Sequence, residues 1–140
     1  MTRQLVLAVI ALPALAQPAA DLAERYWKQQ RWEDANNAFR AAVKADPKNA
    51  ALRVRWGLLL LERFNPGEAA DLFNEALQIE KDYPPALLGL AKVAAERMDP
   101  RAAELCRKAL EKDPALAEAR ELLANVLLED GNFTAAAEEA

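Results

Sequence analysis

The chain has 140 residues with a formal net charge of −4; 53% of them are apolar, 29% are charged, and there is one cysteine and no histidine. That composition suits one modest folded domain and excludes a disordered chain. One thiol excludes an internal disulfide, missing histidine excludes a Ser-His-Asp triad and the usual zinc site, and an acidic chain without a Lys/Arg run lacks the basic face that nucleic acid needs.

The first sixteen residues, MTRQLVLAVIALPALA, are unlike the rest. Arg3 opens them, Leu5 to Ala16 are apolar, and Ala14-Leu15-Ala16 places small residues at the −3 and −1 positions. This is the pattern of a secretory signal peptide, with cleavage expected between Ala16 and Gln17. A spanning helix needs about 20 apolar residues, whereas Pro13 interrupts this run and Gln17, Pro18 and Asp21 follow it closely. The expectation is an exported protein, periplasmic or secreted; the alternative is a membrane anchor over residues 4–20. No cysteine follows the apolar run, which argues against an acylated lipoprotein.

From residue 17 onward Ala, Leu, Glu, Lys and Arg dominate and β-branched residues are few, which favours helix throughout. The segment RWEDANNAFRAAVKADP carries Ala35, Phe39, Ala42 and Pro47. The same steps return as Ala69, Phe73, Ala76 and Lys81, then as Ala102, Cys106, Ala109 and Pro114, and begin again at Ala136 and Ala140. The leading alanines are 34, 33 and 34 residues apart. Ahead of each set stands a second signature, Leu22-Ala23, Trp56-Gly57, Leu90-Ala91 and Leu123-Ala124, at intervals of 34, 34 and 33. The two series together locate a one-residue deletion in the third unit, between Ala91 and Ala102, inside the turn-forming stretch ERMDPR.

Each unit therefore predicts two helices. Steps of three and four put the alanines and the larger residue on one helical face. Breaks are expected at QQRWED, RFNPGE, ERMDPR and EDGNFT, where Pro, Gly, Asn and Asp collect. Pro18, Pro84 and Pro85 stand where first helices should begin, and a missing N–H does no harm there. One helix pair cannot bury its own apolar face, but stacked identical pairs share a continuous core.

This pattern resembles the tetratricopeptide repeat (TPR). The first unit carries seven of the family's marks: Leu22, Ala23, Tyr26, Ala35, Phe39, Ala42 and Pro47. Trp56, Gly57, Ala69, Phe73 and Ala76 carry them in the second unit, and Leu90, Ala91, Ala102, Ala109 and Pro114 in the third. Leu123, Ala124, Gly131, Phe133 and Ala136 carry them in the fourth. The resemblance implies an all-α, right-handed α-solenoid of stacked antiparallel helix pairs, with units 17–49, 50–83, 84–115 and 116–140. The last unit stops at AAAEEA, inside its second helix. A longer parent protein is expected, with a final helix that frays or packs against another copy.

In this family the first helices line a concave surface. Carried over by unit position, that surface is Gln17, Ala20, Glu24, Trp27 and Lys28, then Ala51, Val54, Leu58, Leu61 and Glu62. The later units add Pro85, Leu88, Lys92, Ala95 and Glu96, then Glu118, Glu121, Asn125, Leu128 and Glu129. The expected groove is an apolar strip of Trp27, Val54, Leu58, Leu61, Leu88 and Leu128, edged by acids; Glu24, Lys28, Glu62, Lys92 and Asn125 complete the candidate set. The family's Lys/Asn/Arg clamp for a C-terminal carboxylate does not map, since Ala20, Glu24, Pro85 and Gly89 stand at its places. An apolar or amphipathic peptide or protein with basic flanks is the expected partner; the alternative is that later helices close over the strip.

Trp32, Tyr26, Trp56 and Phe133 are expected in packing, and Cys106 as a small buried residue in the slot of Phe39 and Phe73. Asn132-Phe133-Thr134 fits the N-glycosylation pattern, though its residues suit a turn. No catalytic residue, metal site or cofactor is predicted. The function expected is a non-catalytic scaffold outside the cytoplasm. The alternative is the N-terminal recognition module of an exported enzyme whose catalytic domain lies past residue 140. Self-association through the unfinished helix is a third expectation.

Overall fold

The computed structural model describes residues 16–131 together with 135 and 138, and every regular element among them is α-helical. The first helix, α1, covers residues 16–28. It is followed by α2 (Trp32–Ala45), α3 (Ala50–Glu62), α4 (Pro66–Ile79), α5 (Pro84–Glu96), α6 (Arg101–Lys112) and α7 (Ala117–Glu129). Residues 135 and 138 are helical as well. The expectations placed on residues 1–15, on the glycosylation triplet and on Phe133 lie outside the described residues.

The leading alanines Ala35, Ala69 and Ala102 are each fully buried, as are Ala42, Ala76 and Ala109 one turn beyond the larger residue. Between them Phe39, Phe73 and Cys106 fill the same slot with no exposed surface. Equivalent positions thus make equivalent contacts, which is what a translational repeat requires. Where small residues let helix axes approach, one large side chain fills the gap: the ring edge of Phe73 lies against the backbones of both Gly57 in α3 and Gly89 in α5. Successive first helices also meet directly, α3 with α5 and α5 with α7. They form the inner layer, and the second helices form the outer one.

The turn inside each unit is built the same way. Arg31 N donates to Tyr26 O, Asn65 N to Leu60 O and Asp99 N to Ala94 O, each at 2.9 Å. Gln30, Phe64 and Met98 precede these donors with φ of 58°, 60° and 53°. This is the left-handed helix C-cap that glycine serves best, and Gly131 takes the place in the fourth unit at φ 76°. Asn49 Oδ1 accepts from Leu52 N at 3.2 Å and Asn65 Oδ1 from Glu68 N at 3.3 Å, starting α3 and α4.

The deletion in the third unit is visible in the hydrogen bonding. Ala69 N donates four residues back to Asn65 O, whereas Ala102 N donates three back to Asp99 O. The missing residue falls in the first turn of α6, which is shorter than α2 and α4 (12 residues against 14). Losing it at the surface end of a helix leaves the buried register of Ala102, Cys106 and Ala109 intact.

Candidate functional site

On the inner layer, Trp27, Leu58, Leu61, Glu62, Lys92 and Glu96 surround a recess of about 320 Å³. Trp27 comes from α1, Leu58, Leu61 and Glu62 from α3, and Lys92 and Glu96 from α5. A second hollow of about 340 Å³ adjoins it, bounded by Glu24, Trp27, Lys28, Gln30, Trp32, Arg55 and Glu62. The indole of Trp27 is shared by both, and it is held from three sides. Its Nε1–H donates to Glu62 Oε2 at 2.8 Å. Phe39 meets it edge-on, with ring centroids 6.1 Å apart. The guanidinium of Arg55 lies 4.7 Å from its centroid.

Charges on this face are paired across units. Arg55 Nε and Nη2 donate to the two carboxylate oxygens of Glu24 at 2.6 and 2.7 Å. Hydrogen bonding to Glu24 pushes the Arg55 pKa above its ordinary value, against partial burial. Lys92 Nζ donates to Glu118 Oε1 at 2.7 Å. These exposed pairs contribute little to stability, on the order of 0–1 kcal/mol each. Their effect is to hold long side chains in place around the recess.

Of the residues expected in the groove, Trp27, Leu58, Leu61, Glu62 and Lys92 share the central recess, and Glu24 and Lys28 border the adjoining hollow. Trp27 and Leu58 are half-buried, while Leu61 is nearly enclosed at 8% exposure. Val54 and Leu88 are buried, Val54 among Ala50, Phe73 and Ala86, and Leu88 among Leu87, Ala109 and Ala119. The following units cover them, so each keeps only 5% of its surface exposed. Asn125 and Leu128 are exposed on α7 and line neither recess. The apolar strip is therefore discontinuous: Trp27 and Leu58 are open at the recess, and Leu128 stands exposed apart from them on α7. Arg55, Gln30 and Trp32 border the site without having been singled out for it. Arg55 stands one helical step from the carried-over positions, and only its pairing with Glu24 on the neighbouring unit brings it in.

Cys106 is buried, and burial pushes its thiol up to about 11. It is therefore a packing residue rather than a nucleophile.

A sequence model of the family described as "Tetratricopeptide repeat" matches residues 20–86 and 86–140. No curated protein matches the chain. Among solved structures, the crystal structure of MamA protein shares 17% identity at a TM-score of 0.73, covering 89% of this chain and 69% of that one. The first TPR of Spaghetti (RPAP3) bound to HSP90 peptide SRMEEVD shares 18% identity at a TM-score of 0.75, covering 85% and 95%. The Arabidopsis OM64 TPR domain shares 21% identity at a TM-score of 0.73, covering 82% and 96%. At these identities the likeness concerns the fold, a right-handed solenoid of helix pairs.

Proposed function

Since the chain belongs to the tetratricopeptide repeat family, whose members are in general interaction modules without catalysis of their own, we propose that it is a non-catalytic scaffold binding a protein or peptide through its inner face. The observation that carries this reading is the recess of about 320 Å³ in which half-buried Trp27 and Leu58 stand beside Glu62 and Glu96. An amphipathic helix or extended segment would seat one or two apolar anchors there, with basic neighbours facing the carboxylates. The structural neighbour described as bound to the peptide SRMEEVD holds a peptide ending in acids. The present face carries Lys28, Arg55 and Lys92 as well as Glu24, Glu62 and Glu96; with Arg55 paired to Glu24 and Lys92 to Glu118, the recess itself is left with the carboxylates of Glu62 and Glu96 to meet a basic flank. On the strength of residues 1–16, the proposed setting is outside the cytoplasm; N-terminal sequencing of mature protein beginning at Gln17 would support it, and an intact Met1 start would remove it.

The test is fluorescence anisotropy with labelled amphipathic peptides of Leu and Lys, titrated into wild type and into Trp27→Ser and Leu58→Ser variants. The expected result is at least a roughly tenfold loss of affinity with melting temperatures changed little. Equal binding by all three proteins, or a loss that only follows thermal destabilisation, would overturn the reading.

A further inference from the structure

Successive units stack by one rule, yet their junctions on the outer side are not alike. Between the first and second units, Trp56 of α3 reaches outward and donates through Nε1 to Asn36 Oδ1 of α2 at 2.7 Å. Its ring packs against the cluster of Ala35, Ala38 and Phe39. Beside it, the guanidinium of Arg63 lies 4.9 Å from the centroid of Trp32. Thirty-four residues later, the same places are held by Leu90 for Trp56, Ala70 for Asn36, Pro66 for Trp32 and Arg97 for Arg63. Both indoles and the amide acceptor are gone; the cation remains.

The space left behind is a recess of about 350 Å³ between α4 and α6. Leu90, Val93 and Ala94 of α5 form its floor, and Ala70 and Leu105 its walls. That volume falls in the range of small-ligand sites, roughly 300–1,000 Å³, and Asn74 adds an amide to the apolar floor and walls. Its rim carries Arg97, Arg101 and Lys108 against Asp99 and Glu104. Arg101 is committed to Asp99, which its Nε and Nη2 grip at 3.0 and 2.6 Å. Arg97 and Lys108 form no ion pair among the described residues, so the open rim is positive on balance.

We propose that this outer recess is a second binding site, for an aromatic side chain flanked by acidic residues on a partner peptide. The first junction shows the arrangement with its occupant built in: an indole hydrogen-bonded to the second helix of the preceding unit and a guanidinium stacked on a neighbouring ring. The second junction keeps the cavity and the cation and lacks the ring, which the partner supplies. Arg97 on the rim is placed to cover the face of that ring, and Lys108 meets the flanking carboxylate. The site lies on the opposite layer from Trp27 and Leu58 and is independent of the inner-face reading.

The test is ¹H–¹⁵N NMR titration of the full chain with N-acetyl-tryptophanamide and with acetyl-Asp-Trp-Asp-amide. Shifts are expected at the amides of Ala70, Leu90, Ala94 and Leu105, with affinities on the order of 1 mM for so small a probe. The acidic peptide should bind roughly threefold or more tighter, an advantage that salt reduces. Leu90→Trp should fill the recess and abolish these shifts, and Arg97→Ala, on the surface, should keep the fold and weaken the acidic peptide. No shifts up to about 10 mM, shifts confined to the surroundings of Trp27, or undiminished binding by Arg97→Ala would overturn the proposal whether or not Leu90→Trp folds. Phe64 is 90% exposed, so sedimentation velocity across concentrations covers the remaining occupant. Self-association lost in both Phe64→Ser and Leu90→Trp would assign the recess to a second copy and overturn the peptide assignment.

Discussion

Replacing Gly89 by alanine is expected to destabilise the array although alanine is the better helix former. A Cβ at Gly89 would stand 2.5 Å from Phe73 Cε1 and 2.6 Å from both Cδ1 and Cζ. Carbon atoms in contact prefer about 3.5–4.0 Å, so ring and helix would have to separate by roughly 1 Å. The ring has no free direction, because the same edge already lies 2.6 Å from where a Cβ on Gly57 would sit, and Phe73 is fully buried. Overpacking of this kind costs about 1–3 kcal/mol, and the gain in helix propensity offsets about 1 kcal/mol of it. The expected net loss is up to about 2 kcal/mol, a fall of up to roughly 8 °C in melting temperature for a domain of this size. Urea denaturation followed by circular dichroism measures it. Gly67 provides the control: an added Cβ there meets nothing within 4 Å, so Gly67→Ala should stabilise α4. In a Phe73→Leu background the Gly89→Ala penalty should shrink by at least about 1 kcal/mol. If Gly89→Ala alone raised stability as Gly67→Ala does, the claim that Phe73 locks two units together through this contact would be refuted.

Phe64→Gly should stabilise by about 0.5–1 kcal/mol in the same denaturation assay, since an aromatic side chain 90% exposed at φ 60° forfeits little contact and releases a left-handed strain. Asp99 has its carboxyl lowered to about 2, first by hydrogen bonds from the Arg101 side chain and then from the Arg101 backbone N–H. Its folded pKa lies below the unfolded value of 3.8, so its contribution is present above about pH 4 and is lost as pH falls toward 2. Wild type should therefore lose its advantage over Asp99→Asn across that window in pH-dependent melting. Cys106 should resist a disulfide reagent at pH 8 in the native state and react at the rate of opening, since its thiol is buried and held at about 11; rapid native labelling would contradict the burial.

Periodicity made the stacking legible. Ala35, Ala69 and Ala102 recur because only a small residue permits the helix approach found at each of them, and that constraint is local to one face. The deletion was locatable too, because the signatures on either side of the α5–α6 turn must each keep their own register. Position within the unit also indicated which way Trp27, Leu58, Glu62 and Lys92 face. It did not indicate depth. Val54 and Leu88 sit at inner-face positions, but whether such a side chain remains open depends on how closely the next unit approaches, which involves residues more than thirty positions away. Arg55 was missed for the same reason: its importance comes from Glu24, across a unit boundary. The exposure of Phe64 and Met98 has no sequence signal either, because an apolar residue beside a turn reads as packing until the left-handed cap points it outward.

The repeated positions and the unrepeated ones do different things. In the first three units the alanines are alike because helices approach closest there, and the residue between them, Phe39, Phe73 or Cys106, is fully buried in each. Differences accumulate where the stack does not constrain them. Trp56 and Leu90 occupy one structural position, yet the first closes a junction and the second leaves it open. Trp27 on the inner layer faces a recess that draws on three helices from three units, and its hydrogen bond to Glu62 and its contact with Arg55 both cross from the first unit to the second. No isolated unit would contain either recess. Binding on both faces should therefore fail together when stacking between adjacent units is loosened, while loss at Trp27 alone or at Arg97 alone should leave the other face working. Gly89→Ala, which strains the contact among α3, α4 and α5 without touching either lining, separates these two situations.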